Sequence, residues 1–280
     1  MVGRRNETGT FPDTCGRSYV AGLPVNVTSR NEVVAAIRSA AGSRRPLRIH
    51  TLNVDHVVLA HRHPTFARVI ASADLVVPDG MPIVWTLRHR GFHAERITGA
   101  DLVEYVLREL AVRVVLVGGQ PGVAFGVAEL AQRLKWKATI IGTFAPRRAD
   151  VLDSSWSTEL AQEIRALRPD VIFVGFGAPL QELWLARHSD ELDVAVQMGV
   201  GAAFDFLGGH VRRAPPFMRE HGLEWLYRLI QDPLRLGVRY VGRDWRFVLL
   251  VSKYGSQPML AGSKMTDGTV DVIEDLGAHG

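Results

Sequence analysis

Asp79 is the residue of this sequence whose type and position best suit the transfer of a proton. It lies in a Pro-Asp-Gly tripeptide directly after the apolar run Asp74–Val77. A carboxylate in such a place can take the proton of a substrate hydroxyl. The same tripeptide is also a common turn, in which proline sets φ and glycine takes a positive φ. The local sequence favours a turn, whereas the position at the end of a buried strand favours a chemical role.

A glycine pair, Gly118 and Gly119, follows the apolar run Val112–Val117 and precedes a helical pattern. Backbone N–H groups at such a turn, together with the helix N-terminus, can hold a diphosphate. The spacing is not G-x-G-x-x-G, and the next predicted strand ends without the carboxylate that usually binds the NAD ribose. Nucleotide binding is therefore expected, with an NAD(P)-dependent oxidoreductase as the alternative function.

Polar residues follow two further apolar runs. Thr51 and Asn53 close the run Leu47–Leu52, where they could cap the next helix or contact a ligand. Gln181 and Glu182 fall in the first turns of another predicted helix. Glu182 could simply complement the helix dipole, a role that is not open to the neutral Gln181.

Several kinds of site are disfavoured. His56, His61 and His63 do not share one helical face, so a solvated helix surface is a better interpretation than a metal site. Cys15 is the single cysteine, which excludes a disulfide within the chain. No Asp-x-Asp follows a predicted core strand, so arginine or lysine would have to neutralise a bound sugar nucleotide. We therefore expect neither a metal nor a cofactor.

Alternating short strands and helices must position these turns. Apolar strands, each followed by a helix, predict an α/β fold with a Rossmann-like, mostly parallel sheet and helices on both faces. The first helix should begin at Ser29, with Glu32 completing a capping box. The other predicted strands are Ala138–Ile141, Val171–Gly175 and Val194–Met198, and the other predicted helices are 53–62, 64–72, 99–110, 121–135, 156–167 and 179–188.

The pattern divides the chain into four parts: a loose leader over 1–18, an α/β catalytic domain over 19–209, a helical basic appendage over 210–254 and a disordered tail over 255–280. The net charge is +4, yet the appendage alone has nine Lys or Arg and four acidic residues. Its last helix, predicted to start at Asp232-Pro233, carries parallel apolar and basic stripes that suit an anionic phospholipid surface rather than nucleic acid. No apolar run has the length of a membrane-spanning helix.

Seven ordered segments carry a family resemblance. They are Thr51-Leu-Asn53, 73–80, 95–102, 177–182, 199–205, Arg213-Ala-Pro215 and Glu224-Trp-Leu-Tyr-Arg228-Leu. Over roughly residues 19 to 253 the chain resembles the WecG/TagA/CpsF family of glycosyltransferases. The resemblance implies an inverting, metal-independent transferase that moves N-acetylmannosamine, its uronic acid or a related hexose from a UDP-sugar. The implied acceptor is a sugar linked to polyprenyl diphosphate, in cell-envelope or exopolysaccharide synthesis.

The resemblance also implies roles for individual residues. Asp79 matches the general base, and Asp205 matches a residue near the nucleotide. Thr51, Asn53, Arg96 and Gln181 match positions that line the reaction pocket. Gly177 and Glu182 lie in the matching segment 177–182 and are expected to contact substrate, and Gly118 and Gly119 are expected to do so from their glycine turn alone.

The appendage would dock on the inner face of the cytoplasmic membrane and bring arginines to the diphosphate. Arg228 and Arg235 match that pattern. The next expected arginine falls at Val238, so Arg239 is assigned in its place. A homodimer is one candidate assembly.

Overall fold

The computed structural model describes residues 16–211, 213–215, 217–218, 223–231, 233, 237 and 245–259. Within these ranges the strands are β1 (Arg17–Val20), β2 (Leu23–Asn26), β3 (Leu47–Leu52), β4 (Leu75–Pro78), β5 (Arg113–Gly118), β6 (Thr139–Phe144), β7 (Val171–Gly175) and β8 (Val196–Gly199). The helices are α1 (Arg30–Ser43), α2 (Val54–Ala60), α3 (Pro64–Ala71), α4 (Met81–His89), α5 (Gly99–Glu109), α6 (Val123–Arg133), α7 (Arg148–Leu152), α8 (Ser154–Ala166), α9 (Leu180–Leu192), α10 (Ala203–Leu207), α11 (Glu224–Gln231) and α12 (Arg246–Tyr254).

Six of these strands form one parallel sheet in the order β4-β3-β8-β7-β5-β6. Helices cover both of its faces. Side chains at alternate positions of β5 enter different clusters: Val114 and Leu116 pack with α1, α5 and α6, whereas Val115 and Val117 pack with α8 and α9. Burial on both faces explains why these strands are continuously apolar. The predicted Rossmann-like α/β fold is confirmed.

The chain reverses its direction across the sheet between β5 and β7. From β5 the chain passes through α6 outward to β6, and from β7 it passes through α9 inward to β8. Helices α6 and α9 pack on opposite faces of the sheet. Open α/β sheets bind ligands at the carboxyl ends of strands where the order reverses in this way, so this edge of the sheet is the expected ligand site.

Helix α1 begins as predicted. Ser29 is its N-cap: the hydroxyl accepts the Glu32 backbone N–H, and the Glu32 carboxylate accepts the Ser29 N–H at 2.7 Å. This reciprocal capping satisfies two backbone donors that the helix leaves unpaired. The other strands and helices predicted between residues 47 and 198 are present with ends shifted by a few residues, whereas β1, β2, α4, α7 and α10 were not predicted from the sequence.

The outer boundaries of the fold differ from the prediction. Strand β1 starts at Arg17, inside the segment predicted as a loose leader, and pairs with β2 in an antiparallel hairpin. At the other end, the backbone N–H of Met259 donates to Gly22 O at 2.9 Å, so residues 255–259 belong to the folded part. The rest of the predicted leader and tail, 1–15 and 260–280, lies outside the described residues.

The appendage contacts the body through α12. Phe247 is buried in the cluster that also holds side chains of α2, α3 and α4. The Tyr254 ring stacks at a tilt on His61, with centroids 4.6 Å apart. The helix predicted from Asp232 is described only at Pro233, at Gly237 and from Trp245 onward, where α12 lies. None of the helices that the structure describes is long and apolar enough to cross a membrane.

Candidate active site

The carboxyl ends of β3 and β4 bring Asp79 close to Asn53. The strands are parallel, with Leu52 opposite Pro78, so the next residues of the two strands emerge side by side. The Asp79 N–H donates to Leu52 O at 2.8 Å, which extends the ladder one step past the strands. Asp79 is half-buried. The turn thus fixes the backbone of Asp79 at the ligand-binding edge of the sheet.

Asn53 is the N-cap of α2. Its Oδ1 accepts the His56 backbone N–H at 3.0 Å, so of the two roles left open for this residue the structure gives it the capping role. Thr51 is buried two residues earlier, opposite Val77 of β4. Both residues therefore lie at the edge where the sequence predicted them, within two strand positions of the Asp79 turn.

His56 is not on a solvated surface, contrary to the prediction. Its side chain is buried, and Nε2 lies 3.5 Å from Oε1 of Glu182. Glu182 is also buried, with its carboxylate toward His56, and its contact with substrate stays a prediction. The local spacing of the histidines gave no sign that α9 packs against α2 at this point.

The Gln181 side chain hydrogen-bonds to two glycine turns, one after β7 and one after β8. Its Oε1 accepts the N–H of Gly177 at 3.2 Å and that of Gly201 at 3.0 Å, and Nε2 donates to Glu182 at 2.6 Å. A Cβ on Gly199 would stand 2.8 Å from Gln181 Nε2. The buried amide therefore holds together the turns that follow β7 and β8.

Gly118 and Gly119 allow β5 and β7 to approach closely at the carboxyl edge of the sheet. Gly118 has φ +104°, and a Cβ there would stand 2.6 Å from Gly175 O. The Gly119 N–H donates to that same oxygen at 3.1 Å. No side chain fits between these two turns. The pair lies at the predicted nucleotide edge, where this hydrogen bond ties it to the protein's own backbone.

Arg96 contacts the appendage. Its Nη1 donates to Glu224 Oε2 of α11 at 2.6 Å, and both side chains are largely buried. A second ion pair forms nearby, where Nη2 of Arg213 lies 2.7 Å from Oδ1 of Asp101 at the start of α5. Burial raises the pKa of Asp101, but bonds from Thr98 and Arg213 outweigh burial and lower it. The roles of Arg213 and Glu224 were missed at the level of sequence because no local pattern connects them to α5.

The remaining predicted residues are not brought together by the described contacts. Asp205 lies in α10, which packs on α5 and α6. Arg228 belongs to α11, but its side chain, together with Arg235, Val238 and Arg239, lies outside the described residues. Within the described ranges, no three His, Cys, Asp or Glu side chains are grouped so as to hold a metal ion.

The fold and this edge define a Rossmann-like α/β protein with a carboxylate turn after β4 and glycine turns after β5, β7 and β8 at the carboxyl edge of its parallel sheet. A family model described as "Glycosyl transferase WecG/TagA/CpsF family" matches residues 18–259. Because the match covers most of the sequence, the chain belongs to that family. The protein is therefore a glycosyltransferase of a family that acts in cell-wall polysaccharide synthesis.

Proposed function

We propose that the protein transfers N-acetylmannosamine, its uronic acid or a related hexose from a UDP-sugar to a sugar linked to polyprenyl diphosphate. Asp79 serves as the general base, and the anomeric configuration is inverted. Family membership supports the transferase chemistry. The single observation that carries the mechanism is the half-buried Asp79 carboxylate at the carboxyl edge of the sheet, next to the turn of Asn53.

The proposed reaction is one displacement. The Asp79 carboxylate accepts the proton of the acceptor hydroxyl while that oxygen forms a bond to C1 of the donor sugar. The bond between C1 and the diphosphate oxygen breaks, and UDP leaves with the electron pair. Attack from the side opposite the leaving group inverts C1. A positioned base of this kind contributes roughly 10²- to 10⁴-fold to the rate.

Arginines neutralise the leaving diphosphate in this proposal. Guanidinium groups bind phosphate in a bidentate way and keep their charge at all relevant pH values. Arg228, Arg235 and Arg239 are the proposed contacts, because the appendage holds nine basic residues against four acidic ones. The Arg96–Glu224 and Arg213–Asp101 pairs support this assignment because they fasten the appendage to the loop before α5 and to the start of α5.

The appendage is also the proposed membrane contact. Its described part exposes large apolar side chains: Phe217, Trp225, Ile230, Trp245, Val248 and Leu249. Tryptophans next to basic residues suit the interface of an anionic bilayer. We propose that the protein lies on the inner face of the cytoplasmic membrane, where it would meet a lipid-linked acceptor.

The test is transfer from UDP-N-acetylmannosamine to a polyprenyl-diphosphate-N-acetylglucosamine analogue, followed by mass spectrometry with and without EDTA. The Asp79→Asn variant should lose at least about 100-fold in kcat, since an amide cannot accept the proton. The matched control is Asp74→Asn, an exposed residue at the opposite end of β4. Wild-type turnover by Asp79→Asn would exclude Asp79 as the base.

The alternative of an NAD(P)-dependent oxidoreductase rested on the fold and the glycine pair alone. Fold by itself does not determine function, and the family match assigns the chain to transferases. A thermal-shift comparison of UDP with NAD(P) checks this directly, since a bound ligand stabilises the folded state.

A further inference from the structure

Three buried polar side chains connect the turns at the carboxyl edge of the sheet. Glu182 is 1% exposed, Gln181 2% and His56 3%. A carboxylate inside a protein is costly unless it is compensated, so one that persists under an active edge calls for an explanation. The proposed reaction does not use any of the three as an acid, base or nucleophile.

Glu182 sets the orientation of the Gln181 amide. The carboxylate oxygen Oε1 accepts the Gln181 Nε2 amide at 2.6 Å. This contact turns the amide so that its Oε1 faces the N–H groups of Gly177 and Gly201. The direction of the amide therefore follows from the carboxylate, which can only accept. The turns after β7 and β8 are fixed as a consequence.

Glu182 also sets the tautomer of the neutral His56 ring. The imidazole Nε2 lies 3.5 Å from Glu182 Oε1, and Nδ1 faces the Asn53 backbone N–H at 3.3 Å. Because the carboxylate can only accept, the ring proton stays on Nε2, which leaves Nδ1 free to accept from Asn53. The tautomer thus secures the turn after β3.

The charges around this pair are consistent with an anionic Glu182. Burial raises the pKa of Glu182, but the hydrogen bond and charge of His56, the charge of His50 and the hydrogen bond from Gln181 together outweigh burial and lower it. Burial lowers the pKa of His56, but Glu182, with smaller contributions from Asp55 and Asp79, outweighs burial and raises it, so the neutral Nε2–H tautomer is the form of the ring at pH values above that pKa. The charge of Glu182 also acts on His50 of β3, where it opposes the lowering of the histidine pKa by burial.

We propose that Glu182 and His56 are positioning residues for sugar transfer: the carboxylate sets the imidazole tautomer and the Gln181 amide, and so holds the turns after β3, β7 and β8 around the reacting groups. The inference rests on the proposed placement of the reaction at this edge. It assigns to Glu182 a function other than contact with substrate.

The test replaces the acceptor-only carboxylate by an amide of the same shape. Glu182→Gln can present either its oxygen or its NH₂ to His56, so the ring is free to adopt the other tautomer. We expect kcat to fall roughly 10- to 100-fold with KM changed less than about threefold, because misplacement of catalytic groups costs turnover. At a pH above the pKa of His56, where the wild-type ring is neutral, the ¹⁵N chemical shifts of the ring should move away from the Nε2–H tautomer. Glu163→Gln, an exposed residue on α8, is the matched control.

Two further variants separate the contact of His56 with Glu182 from its contact with the Asn53 backbone. His56→Asn keeps an acceptor near the Nδ1 position but does not reach Glu182, and His56→Gln reaches Glu182 but loses the Nδ1 acceptor. Both should lose kcat, and they keep the proposal testable if Glu182→Gln does not fold. Unchanged kcat in folded variants, or a lower melting temperature with an unchanged ring tautomer and unchanged kcat, overturns the proposal. The ring tautomer is independent of turnover, so a failure of Asp79 as base would show separately.

Discussion

His50 should make the protein sensitive to mild acid. The residue lies in the middle of β3, where its side chain is buried, and among the described residues no partner reaches its Nδ1. Burial lowers the pKa of His50 to about 4; attraction to Glu182 opposes the change, and repulsion from His56 and Arg48 adds to it. The folded protein therefore keeps His50 neutral at pH values where the unfolded chain binds a proton.

The magnitude follows from the difference in pKa. In the unfolded chain the pKa is about 6.5, so between pH 6.5 and 4 the unfolded state holds more protons and stability falls as the pH falls. From pH 7.5 to pH 5 this linkage removes about 2 kcal/mol of unfolding free energy, and the complete window is worth about 3 kcal/mol. A His50→Asn variant lacks the titrating group and escapes this loss, whatever offset the substitution causes at neutral pH.

Urea denaturation at pH 7.5 and pH 5 measures the effect. The free-energy difference between His50→Asn and the wild type should shift by about 2 kcal/mol in favour of the variant at pH 5. His89→Asn, a substitution at an exposed position, is the control and should follow the wild type at both values. A difference that stays constant within about 0.5 kcal/mol across the pH range refutes the reasoning, because a shift of one pKa unit corresponds to about 1.4 kcal/mol.

Other substitutions test the packing of the site. Gly118→Ala should destabilise the protein by at least about 2 kcal/mol, because its φ of +104° and the nearby Gly175 oxygen oppose a Cβ. The control Gly126→Ala in α6 meets open space and should stabilise the protein by about 0.5–1 kcal/mol. Equal melting temperatures of the two variants would contradict this prediction. A double-mutant cycle of Arg96→Gln and Glu224→Gln should give a coupling of about 1–3 kcal/mol in thermal unfolding, and additive effects would show that the pair contributes nothing. Ser29→Ala should cost about 1 kcal/mol through the lost N-cap of α1, checked by urea unfolding.

Deletion of the appendage needs a different boundary from the one that the sequence suggests. Removing residues 210–254 would take away Phe247, which is buried against the α2 side of the body. A buried phenylalanine typically contributes about 3–5 kcal/mol. Loss of activity in that deletion would therefore mix unfolding with loss of the arginines, and point substitutions at Arg228, Arg235 and Arg239 separate the two.

Much of the sheet was predictable from local pattern. Strands β5 and β7 are continuous apolar runs that end in glycine, which is typical of parallel strands buried on both faces. Ser29 with Glu32 marked the start of α1 for a purely local reason. The edge that carries Asp79 followed from the same argument, since all carboxyl ends of a parallel sheet lie together.

The hairpin and the buried network were not predictable in this way. Pro24 lies within β2, and proline normally argues against a strand. His56 and Glu182 become partners only because α2 and α9, far apart in sequence, meet in the folded chain. A histidine on a helix and a glutamate in a first turn both have common surface roles, so each residue taken alone indicated a solvated side chain.

The contact of Met259 with Gly22 has a consequence for the order in which the protein is made. The two residues are 237 positions apart. At a synthesis rate of about 5–20 residues per second, the ribosome needs roughly 12–50 s to supply Met259 after Gly22. During that time the β1–β2 turn lacks its contact with Met259, and the apolar surface of α2 lacks its contact with α12. The amino-terminal hairpin can reach its native surroundings only after nearly the whole chain has been translated, which makes the nascent protein a candidate client for chaperones.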